Sequence, residues 1–157
     1  MVARLLFLTI CALFLATPGV RAGSCRPVNG FFSSMPAPDG CTSPVGFCTA
    51  GELIGGIQGS YAFTMTAAAP GDPATPGVTA YAGRSVISPK QGGTLLAVDN
   101  GIVDLNPFGT SRMVALLTLT GGAGGAEGAS GWLQLRGAMD LGTGAVMGDF
   151  TGEVCTP

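Results

Sequence analysis

The stretch 113–141 constrains the fold more than any other part of the chain. Two runs of alternating residues flank 121–131, of which six residues are glycine. Alternation with a period of two places one face of an extended strand on a core. Glycine adopts backbone conformations that other residues avoid, so we predict that 121–131, the glycine corner, tightly connects two strands. In the second run the apolar positions are Leu133, Leu135, Met139 and Leu141, and the polar or amphipathic ones are Trp132, Gln134, Arg136 and Asp140.

The first 22 residues have the pattern of a signal peptide. Arg4 precedes an apolar run, and Val20 and Ala22 form a small-residue cleavage pattern before Gly23. The run is shorter than the roughly 20 residues of a spanning helix, which disfavours a membrane anchor. A lipid attached at Cys25 is the less favoured alternative. We therefore predict a secreted protein, extracellular or periplasmic, that does not associate with a membrane once the signal is removed.

The charge of the remaining chain excludes one class of partner. Beyond residue 22, five basic side chains stand against nine acidic ones, and no basic cluster occurs. A nucleic-acid-binding domain carries a concentrated positive surface, so we expect no nucleic-acid partner.

Cysteine usage agrees with export. Removing the signal leaves Cys25, Cys41, Cys48 and Cys155. An even number of cysteines in an oxidising compartment predicts disulfide bonds, although four cysteines allow three pairings. We favour Cys41 with Cys48 and Cys25 with Cys155. Without histidine or a CxxC pair, the spacing does not suit structural zinc, so we expect no metal or other cofactor.

The strand pattern predicts one all-β domain. Residues 23–48 are rich in proline, glycine and serine, which indicates an irregular N-terminal arm tied down by disulfides, and 49–157 form the barrel domain. Within it we predict a long strand at 52–66 that bends at a glycine, a loop at 69–77, and a strand at 78–87. Asn100-Gly101 indicates a hairpin between strands at 94–99 and 102–105. A turn at 106–109 ends the strand at 102–105. The last strands are the pair around the glycine corner and 145–155.

About seven or eight short strands with regularly spaced turn signals predict a small antiparallel barrel or sandwich. The succession of hairpins favours an up-and-down, calycin-like barrel over a Greek key. Closure would also remove strand edges that invite aggregation.

At the glycine corner the chain resembles the allene oxide cyclase and dirigent superfamily of β-barrels. The segments 41–48 and 151–155 look like those of small exported bacterial members. The resemblance implies a barrel that holds a reactive, apolar molecule, and association into a homo-oligomer of unspecified size. The residues matching the family's glycine-rich segment are Gly121, Gly122, Ala123, Gly124, Gly125, Ala126, Ala129 and Gly131.

Departures from the family pattern limit which of the family's properties we infer for this chain. The pattern usually has a basic residue followed by an aromatic one where this chain has Gly125 and Ala126. The specific match is confined to the glycine corner and its flanking strands, and the strand plan extends it loosely over 50–155. No acid, base or cysteine of the family enzymes aligns with this chain, so we transfer no catalytic residue.

Motifs for common chemistries are missing. The glycine corner is followed by no lysine, which excludes a phosphate-binding loop, and the dinucleotide pattern fails at Glu127. Without histidine there is no Ser-His-Asp or Cys-His arrangement. We interpret Asp99 as part of the hairpin turn.

One group of side chains remains a candidate ligand site. Trp132, Arg136 and Asp140 share a strand face and would bind a carbonyl or carboxylate if that face lined the barrel. We favour the outward orientation, because the opposite face is aliphatic. Tyr61 is the fourth candidate, although packing is its more common role.

These observations favour a non-catalytic secreted barrel that binds a small apolar ligand or acts as an extracellular interaction protein. The alternative is a cyclase or isomerase, which requires an open cavity with a buried carboxylate or arginine.

Overall fold

The architecture is an eight-stranded antiparallel barrel, seen in a computed structural model that describes residues 23–105 and 111–157. Each strand pairs with its sequence neighbours, and β1 pairs with β8 to close the barrel. The predicted all-β, up-and-down barrel is therefore confirmed. The strands are β1 (Ser24–Pro36), β2 (Cys48–Gly55), β3 (Gly59–Pro70), β4 (Val78–Pro89), β5 (Thr94–Asp104), β6 (Ser111–Ala123), β7 (Ser130–Met139) and β8 (Val146–Thr156).

The prediction of an irregular arm at 23–48 is wrong for its first half, which forms β1. This strand pairs with β8 from Ser24 onward and with β2 only from Gly30 onward. Pro27 therefore lies where one side of β1 has no strand partner, a position that tolerates the missing proline N–H. The predicted signal peptide at 1–22 and the turn at 106–109 lie outside the described residues.

Two predicted strand boundaries are also wrong. The single strand predicted at 52–66 is two strands, β2 and β3, joined by a turn at 56–58. The hairpin predicted at Asn100-Gly101 does not form, because β5 runs through both residues and pairs along its length with β4 and β6. These two differences offset each other in the strand count, and β1 raises the seven strands located in the sequence to eight.

The glycine corner connects β6 to β7, as predicted from its composition. A short 3-10 helix occupies Gly124–Ala126, and Ala126 and Ala129 point into the core. Gly124 and Gly128 have φ of 63° and 71°, conformations that favour glycine. The corner thus covers one end of the barrel with backbone and two small side chains.

Two disulfide bonds join Cys25 to Cys155 and Cys41 to Cys48, the pairing favoured from the sequence. Cys25 and Cys155 are also register partners on β1 and β8. This disulfide therefore lies on the strand pair that closes the barrel. The other disulfide closes part of the β1–β2 connection.

Candidate functional site

The interior of the barrel differs between its two ends. The end with the glycine corner is filled by aliphatic side chains. The opposite end, where the β1–β2, β3–β4 and β7–β8 connections lie, holds a cavity of about 230 Å³. The filling residues include Val28, Leu53, Ile57, Ile87, Leu95, Leu119 and Val154.

The cavity wall is apolar apart from hydroxyl groups. Aromatic and sulfur-containing side chains dominate it, and no charged residue lines it in the described part of the chain. Flexible methionines adapt to irregular ligand shapes, and a few hydroxyls fix orientation. The apolar lining includes Phe32, Phe47, Phe63, Met65, Met113, Leu135 and Met139, and the hydroxyls belong to Ser34, Thr49, Tyr61, Thr79 and Tyr81.

Two inward-facing glycines make room for aromatic rings of the cavity wall. A Cβ atom at Gly101 would lie 2.4 Å from Cζ of Tyr81, and one at Gly83 would lie 2.2 Å from Cε2 of Phe63. The two rings meet edge to face, with centroids 5.7 Å apart. The strand backbone therefore fixes the position of both rings.

The β1–β2 connection contributes a further wall of the cavity. The backbone N–H of Met65 donates to the carbonyl oxygen of Phe47 at 3.0 Å, and the Ser43 hydroxyl donates to the carbonyl oxygen of Met65 at 2.6 Å. The Cys41–Cys48 disulfide constrains the same segment. The connection is thereby held against β3, with Phe47 at the cavity.

A buried carboxyl group lies deeper in the barrel than the residues that line the cavity. Asp99 is 1% exposed and occupies the inward face of β5 together with Ala97, Gly101 and Val103. The Ser85 hydroxyl of β4 donates to Oδ2 of Asp99. Oδ1 of Asp99 is the one buried side-chain oxygen or nitrogen without a hydrogen-bond partner among residues 23–105 and 111–157.

Tyr61, whose ring lines the cavity, lies close to Ser85 and Asp99. The buried pair of Ser85 and Asp99 is therefore near the cavity wall, although neither residue lines the cavity.

The apolar surroundings alter the acidity of Asp99 and of the two tyrosines near it. Burial raises the pKa of Asp99 to about 7, and the hydrogen bond from Ser85 opposes that rise. Burial and then the charge of Asp99 raise the pKa values of Tyr61 and Tyr81 above their usual range. Both phenols are therefore protonated at neutral pH.

The four side chains proposed from the sequence do not come together. Trp132 is 43% exposed, and Arg136 also lies on the outer face of β7, whereas Leu133 and Leu135 point inward. Arg136 faces Asp149 of β8 in a shallow outer depression. Of the four candidates, Tyr61 alone lines the cavity.

Asp140 has a structural role in the β7–β8 turn. Its Oδ1 accepts backbone N–H bonds from Gly142 at 2.8 Å and Thr143 at 2.9 Å. The bonds from Thr143 and Gly142 hold the pKa of this exposed carboxyl below its usual range. This is the local hydrogen bonding that Asp commonly provides in turns.

Sequence reasoning missed Asp99 and its partners. The available signal was the alternation of Leu95, Ala97, Asp99, Gly101 and Val103, which continues through the apparent hairpin. It places the carboxyl on the same face as aliphatic residues. The Asn-Gly pair obscured this pattern.

One described cluster has metal-ligand side chains, namely Cys25, Glu153 and Cys155. Its two sulfur atoms are bonded to each other, which removes the thiolates that would bind a soft metal. No described helix has the length and apolar character needed to cross a membrane.

Comparison with known proteins gives little further guidance. No family model matches the chain, and no curated protein matches it. Among solved structures it is similar to the pterocarpan synthase dirigent protein GePTS1, at 13% identity and a TM-score of 0.37, with 86% of each chain covered. That TM-score is too low to support an argument, so the architecture described above rests on the strand pairing of this chain.

Proposed function

We propose that this protein binds a small apolar ligand in the barrel cavity. The observation that carries the proposal is the cavity of about 230 Å³, which lies in a barrel whose other end is filled. Ligand sites are typically concave and largely apolar, with a few polar groups that set orientation. This cavity has that composition.

The positions of its wall residues support a site that is already formed. Tyr81 and Phe63 are held over inward-facing glycines, and Phe47 is held by hydrogen bonds between its connection and β3. A wall fixed before binding reduces the conformational entropy that a ligand must remove. The three methionines supply the adaptable part of the same wall.

The first test is binding of the neutral fluorescent probe N-phenyl-1-naphthylamine. We expect its emission to rise on binding and this rise to be lost in Val103→Trp, because Val103 lines the cavity. Ile102→Trp is the matched control, since Ile102 lies on the same strand and is exposed. Loss of binding in both variants, or no binding to the folded wild type, would overturn the proposal.

A second candidate function is acid–base catalysis of an isomerisation or cyclisation. The observation that favours it is Asp99, a buried carboxyl that accepts a hydrogen bond from Ser85 and lies near Tyr61 of the cavity wall. A carboxyl group that titrates near neutral pH is suited to proton transfer. Turnover of a bound substrate that is lost in Asp99→Asn, with binding retained, would establish this activity.

We also infer that the chain is exported as a mature protein from Gly23 and associates into homo-oligomers. The two disulfides and the signal-like pattern of the first 22 residues support export. Native mass spectrometry of protein recovered without refolding tests the cleavage site, the disulfides, the subunit number and any retained small molecule. A mass that includes the first 22 residues would contradict export with cleavage, and a monomer mass would contradict association.

A further inference from the structure

An apolar surface on the outside of the barrel lies apart from the cavity. Five aliphatic side chains project outward from β5 and β6, and each is between 38% and 51% exposed. They are neighbours, since Ile102 is the register partner of Val114 and Val98 is the register partner of Thr118 beside Leu116 on β6. We call this surface the aliphatic ridge, and its members are Leu96, Val98, Ile102, Val114 and Leu116.

A surface of small side chains adjoins the ridge on β3 and β4. Ala69 is in register with Ala80, and Ala67 is in register with Ala82. These four alanines, the alanine floor, line a shallow outer depression. Because Ala80 is also the register partner of Ile102, the floor begins where the ridge ends. Large and small apolar side chains therefore lie side by side across the boundary between β4 and β5.

We propose that this protein forms a two-fold symmetric homodimer in which the aliphatic ridge of each copy packs on the alanine floor of the other. A two-fold axis in the interface, roughly along the strands between β4 and β5, exchanges the two surfaces. It sets Ile102 of one copy against Ala80 of the partner subunit. The inference rests on the association into homo-oligomers proposed above, because it names the surface and the symmetry of that association.

The size of the apolar surface suits a second copy of this chain. Five side chains at the exposure of the ridge present on the order of 300 Å² of apolar area, a patch size that is often functional. The alanine floor brings the total toward the apolar share of a standard interface, a little over half of about 800 Å² per partner. An added peptide strand would need an open sheet edge, and the eight described strands close into a barrel without one.

The distribution of charge favours the same contact. The exposed carboxyl groups of Glu52, Asp149 and Glu153 lie on β2 and β8, the two strands that flank β1. In a closed cycle of eight strands, β1 is opposite β5. The outward positions of β5 from Leu96 to Ile102 carry no charge. Contact through this side of the barrel therefore keeps like charges of the two copies apart.

Two polar side chains lie within the proposed interface, and each can be accommodated. Arg84 is the register partner of Val98, so its aliphatic stem can cover apolar surface while the guanidinium stays in water. The amide of Asn100 has two donors and an acceptor, so it can pair with Asn100 of the partner subunit beside the two-fold axis. The interface then buries no charge.

Sedimentation equilibrium of the exported protein tests the dimer. We expect the wild type to be dimeric. We expect Ile102→Lys and Ala80→Glu, each alone, to raise the dissociation constant at least roughly a hundredfold, because a charged group would lose water against apolar side chains. Ile54→Lys is the matched control, since Ile54 is a 53% exposed isoleucine on β2, outside the interface. It should leave the dimer intact.

A mixture of the two interface variants tests the two-fold arrangement. In a mixed dimer, one contact brings the introduced ammonium group against the introduced carboxylate, and the other contact keeps Ile102 against Ala80. We therefore expect dimers in the mixture at concentrations where each variant alone is monomeric. Circular dichroism shows that each variant is folded. If Ala80→Glu does not fold, Ile102→Lys compared with Ile54→Lys gives the same decision.

The outcomes separate this interface from the other proposals. A monomeric wild type would overturn the inference and the proposed association together. A trimer or larger ring, equal dissociation by Ile54→Lys, or a mixture of folded variants that stays monomeric would overturn the inference alone. A monomer that sediments with phosphatidylcholine vesicles, and no longer does so in Ile102→Lys, would assign the surface to lipid instead. Binding of N-phenyl-1-naphthylamine is a separate signal, so failure of the ligand site and failure of this interface are distinguished.

Discussion

The ring of Tyr81 on β4 lies directly over Gly101, its register partner on β5. A Cβ atom at Gly101 would lie 2.4 Å from Cζ and 2.5 Å from the hydroxyl oxygen of that ring. Gly101 therefore serves the packing of a cavity wall rather than a turn. The same contact explains why a glycine occupies this position in the middle of a strand.

Gly101→Ala should destabilise the barrel by about 1–3 kcal/mol, the usual cost of overpacking a core. The new methyl group would meet both Tyr81 and the carbonyl oxygen of Val114, which would lie 2.8 Å from the added Cβ atom. Urea unfolding measures the change. Asn100→Ala, at the exposed neighbouring position, should stay within about 0.5 kcal/mol of the wild type.

A double-mutant cycle with Tyr81→Ala tests the cause of that loss. If the ring is the obstacle, Gly101→Ala should cost less in the Tyr81→Ala background than alone. Equal costs in both backgrounds would show that Val114 or the strand backbone, rather than the ring, opposes the methyl group.

The sequence predicted the architecture better than the site because the two depend on different information. Leu133 and Leu135 alternate with outward residues, and this local pattern predicts a strand face and its core side. The inward position of Asp99 depends on β5 continuing through Asn100-Gly101, and β4 and β6 supply the partners of that continuous strand. The strand β1 was missed for a similar reason, since β8 and β2 supply its hydrogen bonds and its own sequence shows turn residues.

Asp99 should make stability fall as pH rises. Its pKa is raised from 3.8 to about 7 in the folded protein. Below about pH 4 both states hold the proton, and between about 4 and 7 the folded state alone holds it, so unfolding becomes easier with rising pH. The full effect is on the order of 4 kcal/mol and is complete above about pH 7. Denaturant unfolding across this range should show the decline, and Asp99→Asn should abolish this component.

The contribution of Asp140 to stability should have the opposite dependence on pH. Its pKa is lowered in the folded protein by the Thr143 and Gly142 bonds, so its contribution exists at neutral pH and is lost in acid. Asp140→Asn should therefore remove stability at neutral pH and little at low pH.

A pH profile of Asp99→Asn that still matched the wild type would contradict the assignment of the decline to Asp99.

The two disulfides should differ in their contribution to stability. Cys25 and Cys155 are separated by 130 residues and Cys41 and Cys48 by 7. In the chain-entropy model, the longer loop gives up to about 5 kcal/mol and the shorter one roughly 2 kcal/mol. Replacing each pair by serine and measuring urea unfolding tests this order. An equal loss for the two pairs would show that native-state strain, not loop length, decides their effect.

The outer face of β7 should take no part in ligand binding. Trp132 is the single tryptophan and is exposed, so acrylamide should quench its fluorescence efficiently with or without ligand. Trp132→Phe and Arg136→Ala should leave probe affinity within about twofold of the wild type. Protection of Trp132 by ligand, or a large loss of affinity in Arg136→Ala, would move the site to the outer surface.

The disulfide between Cys25 and Cys155 has a topological consequence. The main chain from Cys25 to Cys155 and this one bond together form a covalent ring that follows the closed cycle of strands. A single peptide cleavage in an exposed connection, such as 71–77, opens that ring but releases no fragment. The cleaved molecule is two chains joined by this disulfide, which keeps the original ends, gains two new ends at the cut and leaves the strand neighbours unchanged.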